Sequence, residues 1–239
     1  MLIITQLTTY LKMTLAPVRT FTEQATKKPR PVYSVGLMLL FRVPVLWVTT
    51  IIYYIWLVRA LELAHDPPLE LQDFVRHYAA SSANDIFLEL KNIPLLPQLE
   101  TAWPWIGLFA LLVVVGIWMH NSVWDHTALW MLGGTKSEDS FKTSCTAIAD
   151  VMGAATYGTL LGLIATLPFV GLFALPLLGI VNIYYWILRG IGLSIYHGCP
   201  IWKGVVATIL HVLLVVIFYG LLIAVVIAAF AFIALRAGL

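Results

Sequence analysis

Apolar residues run along this chain in long blocks separated by short polar connections, with no alternating stretch of the strand type. About 20 mostly apolar residues cross a bilayer as a helix. Five blocks reach that length: residues 33–57, 103–122, 144–167, 171–196 and 204–235. The fifth is the most uniform, with His211 its one strongly polar residue between Val205 and Leu235. Pro168 and Gly171 separate the third block from the fourth, which predicts a tight helical hairpin. The missing alternation argues against a β-barrel. The predicted fold is all-α: a polytopic bundle of five transmembrane helices with interfacial amphipathic helices beside it.

Two further segments have helical periodicity without the length or apolarity of a span. In residues 3–25, Ile3, Leu7, Tyr10, Leu11, Met13 and Leu15 recur at helical spacing, and Lys12 and Arg19 are placed to reach phosphates. Pro17 breaks or restarts that helix. In residues 69–92, Leu71, Phe74, Val75, Tyr78, Ile86, Phe87 and Leu90 alternate with charges, around the interruption Ser81-Ser82-Ala83-Asn84. Two short amphipathic helices, the second capped by Asn84 or Asp85, fit this pattern. Such a stripe packs on the protein's own helices or serves as a partner-binding face.

Composition agrees with the membrane reading. Apolar residues make up 61% of the chain and charged ones 11%, against about 25% charged in a soluble domain. A formal net charge of +2 is no footprint for nucleic acid. Cys145 and Cys199 are too few for a disulfide scaffold, and neither has zinc-site spacing. The N-terminus does not read as a cleavable signal, because its basic cluster follows the apolar residues.

The distribution of charge sets the orientation. Residues 1–32 carry Lys12, Arg19, Lys27, Lys28 and Arg30 against Glu23; residues 59–102 carry seven acids against Arg59, Arg76 and Lys91. Lys136, Lys142 and Lys203 fall in the even-numbered connections. The positive-inside rule then predicts a cytoplasmic N-terminus and an outward C-terminus. Trp103 and Trp105 mark the outer interface, and Trp118, Trp124, Trp130 and Trp202 the inner one. The chain divides into a cytoplasmic interfacial segment, 1–32, and a five-helix membrane domain, 33–239, with an outer loop at 59–102.

Polar residues within the apolar blocks are functional candidates because charge at bilayer depth is costly. Arg42 lies about ten residues into the first block and Asp150 some six into the third. Entering from the same side, they can meet as a structural ion pair or build a polar site for an ion, a proton or a lipid headgroup; Arg42 can otherwise snorkel. Pro44 loosens the helix beside Arg42. Arg189 has an easy snorkelling position, and His211 reads as a lone interhelical histidine. His120, Asp125 and His126 resemble a metal site only loosely, and no nucleophile motif is present. No cofactor is called for. Gly158 and Gly162 form a small-xxx-small pair suited to helix packing within the bundle or between two copies.

His126, Gly133-Gly134 after Met131-Leu132, and Ser140-Phe141-Lys142 are followed by Ile201-Trp202-Lys203-Gly204 before the last block. On these residues the stretch from His126 to Leu210, within a core of residues 120–235, resembles the Yip1 domain family. Leu15-Ala16-Pro17 with Phe21 resembles the N-terminal part of bacterial members. The resemblance implies five helices with the N-terminus inside, in a bacterial inner membrane, or in a Golgi or endoplasmic reticulum membrane if the chain is eukaryotic. It brings no catalytic residues. The function expected is that of a non-enzymatic accessory or scaffold subunit, partnered by the phospholipid bilayer and by a transport complex such as an ABC-type exporter, with a homo-oligomer as a further option. The alternative is a lipid or small-solute transporter using Arg42 and Asp150. A membrane hydrolase using His120, Asp125 and His126 is a third, minor reading.

Overall fold

The computed structural model describes residues 2–66, 68, 96–97, 99–136, 139–167 and 170–237. Its elements are α1 (Leu2–Leu15), α2 (Pro17–Ala25), α3 (Pro31–His65), α4 (Leu99–Met131), α5 (Ser140–Ala154), α6 (Thr156–Ala165), α7 (Val170–His197) and α8 (Ile201–Ala237). The protein is all-helical among the described residues, and five helical stretches are long and apolar enough to cross a membrane. These are α3, α4, α5 with α6, most of α7, and α8. The amphipathic helices expected over 69–92, with their cap at Asn84 or Asp85, and Pro168 lie outside the described residues.

Helix ends follow local chemistry. Ala16 (φ −137°, ψ 65°) and Arg30 (φ −130°, ψ 68°) each precede a proline, which disfavours helical backbone before it, and Pro17 and Pro31 then open α2 and α3. Gly133 (φ +61°) and Gly198 (φ +67°) close α4 and α7 in left-handed conformation. Behind them Gly134 N–H donates to Leu129 O at 3.0 Å and Cys199 N–H to Ser194 O at 3.0 Å, the six-to-one bond of a Schellman cap. At Gly171, in the first turn of α7, an added Cβ would lie 2.3 Å from Ala165 O, so this close approach to the end of α6 requires glycine.

The third block is not one helix. It breaks at Ala155, and its two halves sit in different surroundings: α5 is buried from Thr143 to Ala154, enclosed by α1, α3, α4 and α7, whereas Leu160, Leu161 and Ile164 of α6 are exposed. Small residues (Ser144, Ala147, Ala149, Gly153) let the neighbours close on α5. The segment 3–25, expected at the interface, is two helices built into the wall of the bundle. Tyr10 and Phe21 are fully buried, the former over Gly153, where a Cβ would meet its ring at 2.2 Å, the latter over Gly192. The Tyr157 hydroxyl donates to Leu7 O at 2.8 Å and Tyr184 to Thr14 O. Ile3, Ile4, Leu11, Leu15 and Val18 stay exposed on the other face.

The far end is pinned by Trp47 stacked on Trp103 at 5.6 Å and donating to its carbonyl. Helix α8 packs on α7 and α4 through Gly204, Ala207, Thr208 and His211; residues 216–230 are exposed all round. The face where α3, α5 and α8 begin and α4 and α7 end is called the basic face below.

Candidate functional site

Among the described residues, four polar groupings lie within the bundle. At the basic face His126, Ser144 and His197 form a chain. Lys136 N–H donates to His197 Nδ1 at 3.2 Å, so the proton of that ring is on Nε2, from which it reaches Ser144 Oγ at 2.8 Å. Ser144 in turn faces His126 Nδ1 at 3.0 Å. The hydroxyl between two imidazoles is fully enclosed, so it ties α4, α5 and α7 together and offers no route to a substrate. The residues singled out for the family resemblance gather here: Phe141 sets its ring against His126 at 5.4 Å, Lys203 Nζ donates to Gly133 O, and Gly134 lies against Leu129 and Cys199.

One residue before His126 on α4, Asp125 is fully buried between Arg189 and His211. Its Oδ2 lies 2.9 Å from Arg189 Nε and its Oδ1 2.5 Å from His211 Nδ1. His211 Nε2 continues to His120 Nε2 at 3.3 Å, and Trp186 covers the Arg189 guanidinium at 5.5 Å. Three expectations change. Arg189 does not snorkel, because it is held by a buried carboxylate. His211 is not alone. His120 and Asp125 turn toward His211 while His126 turns toward Ser144, so those three do not share a site.

Arg42 and Asp150 do not pair. They belong to separate cavities on two sides of α5. Arg42 Nη1 donates to Met152 O at 2.9 Å, at the break between α5 and α6. It lines a cavity of about 320 Å³ between α4 and α7 with Asn121, Asn182, Thr159 and Arg189. Asp150 accepts the Tyr196 hydroxyl and lies at a cavity of about 620 Å³ that opens among Lys27, Lys28 and Arg30. Gly158 packs tightly, with Tyr185 2.5 Å from its notional Cβ, but Gly162 meets nothing within 4 Å and only lines the Arg42 cavity. Gly162 is thus not a packing residue inside this bundle.

The sequence reading missed Tyr196, Ser34, Asn121 and Asn182. The two asparagines are polar side chains in apolar blocks, and that signal was available. Cys199, in the turn between α7 and α8, has its thiol pushed up by burial, against the opposing pull of a Ser194 hydrogen bond and Lys203. In a Cys145→Ala background, labelling of Cys199 by an aqueous maleimide is expected to rise at higher pH than for free cysteine, since the reactive thiolate forms later. A pH profile that overlays free cysteine would refute this. Comparison with protein-family models, with curated proteins and with solved structures finds no match for this chain.

Proposed function

We propose that this chain is a non-enzymatic multi-pass membrane protein that carries an anionic amphiphile or small anionic solute past a polar intramembrane site centred on Arg42. The observation that supports this is the state of Arg42. Its guanidinium has five N–H donors, and its hydrogen bond goes to one backbone carbonyl, with no carboxylate within 4 Å among the described residues. A cation so placed is costly in a bilayer, and an oxyanion in the adjoining cavity offsets that cost. Asn121 and Asn182 add amide donors to the same space.

The test is transfer of a fluorescent phospholipid across liposomes containing the purified protein, read by dithionite quenching. Arg42→Gln and Gly162→Leu, one removing the cation and the other filling the cavity, are each expected to slow transfer roughly tenfold, the value of about one charge-assisted hydrogen bond. Arg42→Lys retains part of the rate. Transfer unchanged in both variants, with monodisperse protein, would overturn the reading.

A second reading, an accessory subunit of a transport complex in the bacterial inner membrane, draws support from the bare outer half of α8. It is also what the Yip1 resemblance implies. Purification from native membranes in mild detergent separates the two. A stoichiometric transport ATPase favours the accessory role, and phospholipid alone favours the carrier.

A further inference from the structure

The cavity at the basic face has an ordered charge pattern that the Arg42 reading does not use. Its rim carries Lys27, Lys28 and Arg30, all exposed. Its floor is made of Ser34, Asp150 and Tyr196, each less than a tenth exposed. None of the three rim cations is within 4 Å of a carboxylate among the described residues; Lys27 Nζ donates instead to Gln24 Oε1 at 2.8 Å. Asp150 is the complementary case. Its carboxylate accepts the Tyr196 hydroxyl, with Ser34 beside it on the cavity floor, and among the described residues no cation lies within 4 Å of it. Buried carboxylates are normally paired with a cation.

A ligand matching both ends carries a negative group near the rim and a positive group that reaches the floor. We infer that this cavity binds a phosphate ester bearing a primary ammonium, the headgroup chemistry of an aminophospholipid such as phosphatidylethanolamine, with the phosphate among Lys27, Lys28 and Arg30 and the ammonium on Asp150. The surroundings suit a lipid. Helix α1, which walls the cavity through Thr5, Gln6 and Thr9, exposes Ile3, Ile4, Leu11 and Leu15, along which acyl chains can lie. The clustered positive charge places the rim at the inner leaflet. An ammonium supplies three N–H donors to a carboxylate. A choline headgroup supplies none, and a glycerol headgroup brings no positive charge.

The experiment is native mass spectrometry of the full chain, delipidated in mild detergent and titrated with short-chain phosphatidylethanolamine, phosphatidylglycerol and phosphatidylcholine. The ethanolamine lipid is expected to be retained roughly tenfold more strongly than the other two, the worth of about one charge-assisted hydrogen bond. Asp150→Asn is expected to abolish that preference while leaving phosphate-dependent retention. The triple variant Lys27→Gln, Lys28→Gln, Arg30→Gln weakens all three lipids. If Asp150→Asn does not give monodisperse protein, Thr9→Trp fills the cavity with its floor intact and is expected to remove the preference. Free O-phosphoethanolamine is the arm that identifies the source. Displacement of bound lipid only at great excess assigns the site to the lipid, and displacement at equal concentration assigns it to the soluble ester. Equal retention of the three lipids, or a preference that survives both Asp150→Asn and Thr9→Trp, overturns the proposal. Because the readout is binding, its failure leaves the Arg42 transfer test untouched.

Discussion

Asp125→Ala is expected to yield little monodisperse protein in detergent, and what survives should unfold at a much lower temperature. The carboxylate is fully buried and serves two partners at once, Arg189 at 2.9 Å and His211 at 2.5 Å. Removing it leaves a guanidinium that is nearly as buried, in a bilayer where water cannot replace the lost acceptor. Breaking a buried pair in this way costs about 3–5 kcal/mol, a large share of the 5–15 kcal/mol that stabilises a typical domain. The comparison that isolates the cause is the triple replacement Asp125→Leu, Arg189→Met, His211→Leu. It removes the charges together, and much of the loss should be recovered. An Asp125→Ala midpoint equal to that of the parent would mean that the ion pair contributes nothing.

A comparable loss is expected from one methyl group at Gly204. A Cβ there would sit 2.0 Å from Ser194 Oγ and 2.1 Å from Gly190 O. The crossing of α7 and α8 is so close that Gly190, opposite, would place its own Cβ 2.6 Å from the Val205 Cα. Backbone cannot rotate aside as a side chain can, so the helices must separate. Separation also breaks the hydrogen bonds across the crossing, where Gly204 N–H donates to Ser194 Oγ at 3.0 Å and Ser194 Oγ reaches Ile201 O at 3.1 Å. Overpacking alone costs about 1–3 kcal/mol, and the broken bonds add about 0.5–1.5 kcal/mol each. Gly162→Ala and Gly220→Ala are the controls. Both open onto empty space, and a helical Gly→Ala exchange there is expected to be neutral or to stabilise by about 0.5–1 kcal/mol. If Gly204→Ala behaves like these controls in a thermal-unfolding series, the close crossing is wrong.

How much of this was legible in the sequence differs from one feature to the next. Five apolar blocks announce five helices because a bilayer demands length and apolarity from each segment separately. The blocks fall short of the helices, since α3 runs on to His65 and α4 to Met131 through polar residues that hydropathy discounts. The break at Ala155 has no proline or glycine at the spot. It coincides with the Met152 carbonyl that Arg42 takes from another helix. Pairings of that kind are tertiary facts. Asp125 and His211 are 86 residues apart, and nothing near either names the other. Arg42 and Asp150 were both visible as costly residues, but whether they face each other depends on which side of α5 each approaches. The structure sends them to opposite sides.

The seating of the first two helices has a consequence for assembly. Tyr10 and Phe21 are made first, yet the glycines that receive them, Gly153 and Gly192, belong to the third and fourth spans. The hydroxyls that hold α1 come from Tyr157 and Tyr184, 150 and 170 residues further along the chain. While the intervening segments are still being synthesised, α1 and α2 have no slot to enter. Their apolar faces can then rest only in the headgroup region, as their periodicity alone suggests. The N-terminal helices are therefore the earliest elements synthesised and among the last to dock. Their docking closes the wall of the cavity at Asp150 and Tyr196 only after the fourth span has arrived.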